Sequence, residues 1–341
     1  MSKARRRIAV VGLGMAVTPH AQSLQDLQAR VEVAAAYSPS AARRDTFKAK
    51  WGHPVVDSLE AILDDKSIEA VMLLTPPNTH GELVGKLAAA GKHVLMEKPL
   101  EADPAKARAL VEACEKAGVK LGVVFQHRFR PGSLALRSII DSGRLGKIAA
   151  ANAHVPWWRP QSYYDEPGRG TLARDGGGVL ITQAIHVLDL FLSLTGGVSE
   201  VAAFAATTSL HRMESEDYAS AALRLNGGGI GALMATTAAY PGFAERIEII
   251  GEKGTALLAA GQLEVQFHDG SREEAGESGA SGGGADPMAF ANDAHRGVLA
   301  DFLDALDENR APRANGREAL KVHALIEAVL RSARDGAPVR L

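Results

Sequence analysis

A chain of 341 residues is long enough for about two domains, at roughly 100–200 residues each. Its 46% hydrophobic and 23% charged residues exclude intrinsic disorder, coiled coil and collagen. Lys plus Arg (38) nearly cancels Asp plus Glu (40), and the formal net charge of −2 leaves no basic surplus for binding nucleic acid. The single cysteine, Cys114, cannot form an internal disulfide and reads as core, on an apolar helical stripe with Leu110, Val111 and Ala117. No apolar run reaches the about 18 residues that span a bilayer, so no membrane partner is expected. Lys3 and Arg5–Arg7 followed by Ile8–Val17 loosely mimic a signal peptide. They read better as a short basic tail and a first strand, and a cytoplasmic location is expected.

The first 125 residues alternate strand and helix. Ile8–Val11 runs into Gly12-Leu13-Gly14 and a helix-like stretch to Arg30, followed by a strand at Val31–Tyr37. Ser38-Pro39 reads as an N-cap with proline at the first helical position, opening a helix to about Lys50. Asp57 is expected to cap a helix over Leu59–Leu63. Ala70–Leu74 is a strand, His80–Ala90 a helix closed by Gly91, and Val94–Met96 a strand. Asp103-Pro104 starts a helix to Gly118, and Leu121–Phe125 is a strand. This alternation predicts parallel βαβ units in a doubly wound sheet over residues 1–125.

From residue 126 to 341 a second α/β domain is expected, with an open, largely antiparallel mixed sheet. A helix at Leu134–Asp141 precedes a strand at Ile148–Val155, a polar and aromatic loop from Pro156 to Asp175, and a helix from Val179 to Leu194. Strand-like runs follow at Val201–Thr207, Tyr218–Leu225, Ile230–Ala238, Arg246–Ile250 and Leu263–His268, with a turn at Asn226-Gly227. Gly276–Ala285 reads as a mobile Gly/Ser-rich loop. Two amphipathic helices, Asp293–Glu308 and Arg317–Ala333, complete the pattern.

A strand ending in Gly-x-Gly at the start of a helix can place a pyrophosphate on backbone N–H groups at the helix's positive end. Gly12 and Gly14 fit, with Met15 in the same turn, whereas Val17 stands where the fingerprint has its third glycine. At the end of the second strand an acid would hold the ribose 2′-OH of NAD. Tyr37, Ser38 and Pro39 stand there instead, with Arg43 and Arg44 in the next helix. A hydroxyl and two guanidiniums without a carboxylate suit a 2′-phosphate, so NADP is favoured over NAD. Thr75, Pro76, Asn78 and His80 follow the third apolar strand, and Glu97-Lys98-Pro99 follows the next, all at the edge where such sheets bind ligands.

Taken together, Gly12-Leu13-Gly14, Thr75–His80, Glu97-Lys98-Pro99 and Gly176-Gly177-Gly178 leading into His186-Val187-Leu188-Asp189 resemble the Gfo/Idh/MocA family. The resemblance covers essentially the whole chain. It implies a Rossmann domain, a C-terminal α/β domain whose open sheet face forms homodimers or homotetramers, and nicotinamide-dependent redox chemistry at a carbinol carbon of a sugar or cyclitol. Removing a hydroxyl proton near neutral pH suits histidine, here His186. Lys98 is expected to hydrogen-bond the reacting oxygen and help to place the nicotinamide. One helical turn before His186 the family most often has aspartate; this chain has Thr182, which cannot act as a carboxylate base.

Substrate contacts are expected from Lys98, Arg128, Trp158, Arg159, Arg169, Thr182, Gln183 and His186. Aromatic faces at residues 157–164 suit sugar C–H surfaces, and Arg159 with Arg169 would suit a sugar acid or phosphorylated sugar. Asp189 reads as a structural partner rather than a catalytic group. His127 and His154 have no cysteine or carboxylate at ligand spacing, and no metal is expected. Two other readings fit the same scaffold: a lyase or glycosidase using bound NAD transiently, and a non-catalytic cofactor sensor.

Overall fold

The structure is a computed structural model, which describes residues 5–277 and 291–341. The expected Gly/Ser-rich loop at 276–285 lies outside the described residues from 278 onward. The chain divides into two compact units, Met1–Gln126 with Ala291–Leu320, and His127–Phe290 with Lys321–Leu341.

In the first unit, β1 (Arg6–Val11), α1 (Val17–Asp26), β2 (Val31–Tyr37), α2 (Ala41–Trp51), β3 (Val55–Val56) and α3 (Glu60–Asp64) are followed by β4 (Ala70–Leu73), α4 (His80–Ala89), β5 (His93–Met96), α5 (Pro104–Lys116) and β6 (Leu121–Val123). The sheet order is β3-β2-β1-β4-β5-β6 and every pairing is parallel. Every residue of β4 is buried, as in a parallel strand covered on both faces. The strand order reverses at β1 and β4, which leaves a crevice at their carboxyl ends. The buried Cys114 thiol, pushed up to about 12 by burial, is core as expected.

Two helix starts differ from expectation. Ser40 rather than Ser38 caps α2, its hydroxyl accepting the Arg43 N–H at 3.4 Å, so Pro39 precedes the helix instead of opening it. Ser58 rather than Asp57 serves α3, accepting from the Ala61 N–H at 3.3 Å. In both cases the serine stands three residues before the N–H that it meets, the spacing a capping side chain requires. Asp103 does cap α5, accepting from Ala105 and Lys106 with Pro104 in the first turn.

The second unit contains α6 (Pro131–Asp141), β7 (Ile148–Pro156), α7 (Gln161–Tyr164), α8 (Leu172–Asp175), α9 (Ile185–Thr195), β8 (Val198–Ala206), β9 (Tyr218–Leu225), β10 (Ile230–Thr236), β11 (Arg246–Gly251), β12 (Gly254–Ala259), β13 (Gln262–Phe267) and β14 (Arg272–Ala275). The chain then forms α10 (Asp293–Asp307), α11 (Gly316–Asp335) and β15 (Val339–Arg340). The second sheet runs β14-β13-β12-β11-β7-β10-β9-β8-β15 among the described residues. It is antiparallel except where β10 runs parallel to β7. One face packs on α6 and α9. The other exposes Phe204 (83%) and Ile230 (61%).

A single cut after residue 125 therefore misplaces residues 291–320, which pack with the first unit. Helix α10 lies against α1, with Arg30 Nη2 2.8 Å from Asp304 and Arg6 Nε 2.9 Å from Asp307. Phe302 of α10 fills the space over Gly122, where a Cβ would come within 2.9 Å of its ring. An amphipathic helix is legible in sequence, but which apolar surface it covers is not.

The helix expected over Val179–Leu194 is also divided, into a π-helical turn (Leu180–Ala184) and α9. The Gly178 carbonyl accepts both the Thr182 N–H (3.1 Å) and the Thr182 hydroxyl (2.6 Å), a side-chain bond of the kind that loosens a helical ladder. By length and composition the whole run from Leu172 to Thr195 would suffice to cross a membrane, contrary to the sequence expectation. With 83% of its apolar window buried inside the protein, it reads as a core helix.

Asp189 of α9 is fully buried and pairs with Arg128 through two parallel bonds, Nε to Oδ2 and Nη2 to Oδ1, both 2.7 Å. A fork-on-fork pair fixes orientation as well as charge. Asp189→Ala leaves the Arg128 guanidinium without that carboxylate and should cost about 3–5 kcal/mol of unfolding free energy in urea denaturation. A loss below about 1 kcal/mol would show that the pair does not hold α9.

Candidate active site

In the first unit the candidate residues lie along the carboxyl ends of β1, β2, β4 and β5. Gly12 has φ +99°, and a Cβ there would lie 2.6 Å from the Leu74 carbonyl carbon, so only glycine lets the end of β1 pass β4. At Gly14 the nearest atom to a Cβ would be Arg43 Nη1 at 4.0 Å, which leaves open backbone at the start of α1. That opening fits a pyrophosphate at a helix N-terminus. Met15 stands exposed on the same turn.

The two arginines after β2 separate in role. Arg44 Nη1 donates to the carbonyls of Ser38 (2.7 Å) and Pro39 (3.3 Å), bracing the turn. Arg43 lies toward Gly14. Ser38 is buried, its hydroxyl accepting the Ser40 N–H at 3.4 Å. After β4, Thr75 is half-buried while Pro76 and Asn78 are exposed at the ligand edge.

His80, expected at the cofactor, is instead a buried staple. Its Nε2 lies 2.9 Å from the Thr75 carbonyl and its Nδ1 3.0 Å from the Pro99 carbonyl, which ties the loop after β4 to the loop after β5. Its position at the first residue of α4 explains this, because that end of the helix sits between the two loops.

Glu97 is likewise engaged within the unit. Its Oε1 accepts from His20 Nε2 at 2.7 Å and its Oε2 accepts the Lys98 backbone N–H at 3.1 Å. Burial pushes this carboxyl up, but the His20 hydrogen bond and the charges of His20, His295 and Lys98 outweigh it and hold the pKa at about 2. Glu97 therefore braces the backbone of Lys98. Burial draws the Lys98 ammonium down, and the Glu97 charge opposes that shift.

The second unit presents His186 in the first turn of α9, buried, with its ring centroid 5.2 Å from that of His127 and tilted by 30°. Thr182 and Gln183 lie in the π-helical turn just before it, with Gln183 Oε1 against the Thr182 hydroxyl. This turn is anchored by Glu216, whose carboxylate accepts the Leu180 N–H (3.1 Å) and whose carbonyl accepts the Val179 N–H (2.8 Å). Gly178 makes that approach possible, since a Cβ there would lie 1.9 Å from the Glu216 carbonyl oxygen. Burial raises the Glu216 pKa.

The expected substrate arginines are placed otherwise. Arg128 directs two donors to Asp189. Arg159 is 2% exposed, donates to the Trp158 carbonyl at 2.7 Å and lies over the rings of Trp157 and Tyr163. Arg169 donates to Tyr163 Oη (2.7 Å) and Glu166 (2.9 Å). Both guanidiniums thus pack against aromatic rings of the same loop. Trp158 is half-buried and meets Tyr240 edge-on at 5.5 Å. Sequence reasoning missed His20, His295 and Glu216 altogether, and considered His127 only as a metal ligand.

Residues 6–125 match the family model for the oxidoreductase family with an NAD-binding Rossmann fold, and residues 133–257 match the GFO/IDH/MocA C-terminal domain. The chain is 30% identical over 258 residues to myo-inositol 2-dehydrogenase of Thermotoga maritima, covering 73% of each chain. It is 27% identical over 341 residues to inositol 2-dehydrogenase of Rhizobium meliloti, covering 96% of each. Among solved structures it resembles the WlbA dehydrogenase of Bordetella pertussis in complex with NADH and UDP-GlcNAcA, with 30% identity, a TM-score of 0.83 and 99% of each chain covered. The strand order, the glycine turn at the β1–β4 crevice, and these matches over both units make the chain a member of the Gfo/Idh/MocA oxidoreductase family.

Proposed function

We propose that the chain is a dehydrogenase of a sugar or cyclitol hydroxyl, with Lys98 and His186 as its catalytic residues. The observation that carries this reading is that each of the two stands on a rigid element whose carboxylate is bonded in place. Glu97 holds the amide of Lys98, and Asp189 anchors the helix of His186 through Arg128. A bound nicotinamide supplies the hydride acceptor. The His186 imidazole takes the hydroxyl proton, and the Lys98 ammonium donates a hydrogen bond to the reacting oxygen, stabilising its alkoxide character. Thr182 offers a hydroxyl with its proton directed at local acceptors, so the base role stays with His186.

The relatives named as inositol dehydrogenases support the substrate class. For the cofactor, the lack of a carboxylate at Tyr37-Ser38-Pro39 and the approach of Arg43 to Gly14 favour the 2′-phosphate of NADP. An assay following reduced nicotinamide by absorbance, with NAD and NADP set against sugars and cyclitols, should show turnover that falls at least about 100-fold in Lys98→Ala, the scale of losing a donor to a developing oxyanion. Cofactor binding without net reduction on any substrate would contradict the reading, and a higher kcat/KM with NAD would contradict the NADP preference.

The apolar side chains on the open sheet face suit a second copy of this chain, giving a homo-oligomer. Phe204→Asp, placing a charge at the 83% exposed Phe204, should shift the light-scattering mass from oligomer to monomer. A wild-type protein that is already monomeric would sink this proposal.

A further inference from the structure

We propose that Glu97 is a positioning residue for Lys98, and that His20 of α1, backed by His295 of α10, sets its orientation. The proposal rests on the reading of Lys98 as hydrogen-bond donor to the reacting oxygen. The geometry assigns each carboxylate oxygen one task. Oε1 is fixed by His20 Nε2 at 2.7 Å, and Oε2 accepts the backbone N–H of Lys98 at 3.1 Å. The His20 side chain is 3% exposed and that of Glu97 16%, so little water competes for this bond.

The His295 ring meets the His20 ring edge-on at 5.1 Å, and the donor and acceptor atoms of His20, Glu97 and His295 lie within 4.8 Å of one another. The charged and titratable groups acting on Glu97 are therefore His20 from α1, His295 from α10 and Lys98 at the end of β5. Helix α10 is itself tied to α1. Asn292, just before α10, donates to Asp26 at 2.8 Å, and Arg296 lies 3.5 Å from the same carboxylate. A carboxylate clamped in this way cannot swing out to solvent, so a negative charge stays beside the lysine.

The chemical consequence concerns the protonation state of Lys98. Burial favours the neutral amine, which has lost the cationic donor that stabilises alkoxide character. A fixed carboxylate next to it favours the ammonium. This is a sign that can be measured: without the Glu97 charge, Lys98 must lose its proton at a lower pH. The alkaline limb of the kcat profile, which reports loss of the ammonium, must move in the same direction.

The test is a pH titration of the full-length protein labelled with carbon-13 at the lysine Cε. The Lys98 resonance is assigned by its disappearance in Lys98→Arg. In Glu97→Gln the Lys98 titration should move down by about one pH unit or more, a tenfold change in proton affinity. His20→Leu, which keeps the Glu97 carboxylate but removes the bond that orients it, should move the Lys98 titration in the same direction by a smaller step. His20→Gln, which restores an N–H donor, should bring it back toward wild type. Overlay of the Lys98 titration curves in wild type, Glu97→Gln and His20→Leu overturns the proposal, and His20→Leu decides alone if Glu97→Gln does not fold. No substrate is needed, so this result is separable from failure of the dehydrogenase reading. Where turnover is measurable, His20→Leu should lower kcat by about tenfold with the cofactor KM within about threefold of wild type. A rise in cofactor KM with an unmoved pH profile would mark a purely structural role and overturn the proposal.

Discussion

A carboxylate can be buried only if its oxygens are bonded, and unpaired burial costs several kcal/mol. The chain meets this constraint fully at Asp189 and in part at the half-buried Glu97. In the first unit Glu97 is bonded by His20 and by the amide of Lys98. In the second, Asp189 is bonded by Nε and Nη2 of Arg128, one turn along α9 from His186. Each pairing converts a cost into rigidity: the oxygens have fixed partners, and the backbone that carries Lys98 or His186 is fixed with them. Positioning of that kind is what hydride and proton transfer require, because both need reacting groups held close to productive geometry.

The proposed cofactor crevice is built from backbone more than from side chains. The reversal of strand order at β1 and β4 opens the crevice, and Gly12 allows β1 to end against Leu74 without a clash. The side chains around it mostly shape the loops. His80 joins the loops after β4 and β5, and Arg44 closes the turn after β2. The open backbone at Gly14, with Arg43 nearby, is then available to phosphate.

The first sheet was legible because its strands are unbroken apolar runs punctuated by glycine, proline and capping residues, all local signals. Short edge strands such as β3, β14 and β15 escaped because two to four residues carry no periodicity. Lys98 and His186 could be found from motif order, since each sits next to a recognisable turn. Their supports could not. His20 and Glu97 are 77 positions apart, and Arg128 and Asp189 are 61 apart, distances over which sequence pattern gives no pairing. Arg159 shows the opposite failure. Its surroundings looked like a binding loop, yet Trp157 and Tyr163 enclose it, and burial is a property of three-dimensional neighbours.

The proposed function stands on hydride passing directly between a carbinol carbon and nicotinamide, with Lys98 and His186 managing the oxygen and its proton. The most direct measurement uses the best sugar or cyclitol substrate with deuterium on the reacting carbon. The account predicts that the deuterium appears in the reduced nicotinamide by mass spectrometry, in wild type and in the residual turnover of Lys98→Ala. Reduced cofactor that carries no deuterium, or product formed with the label retained on its original carbon, would contradict it.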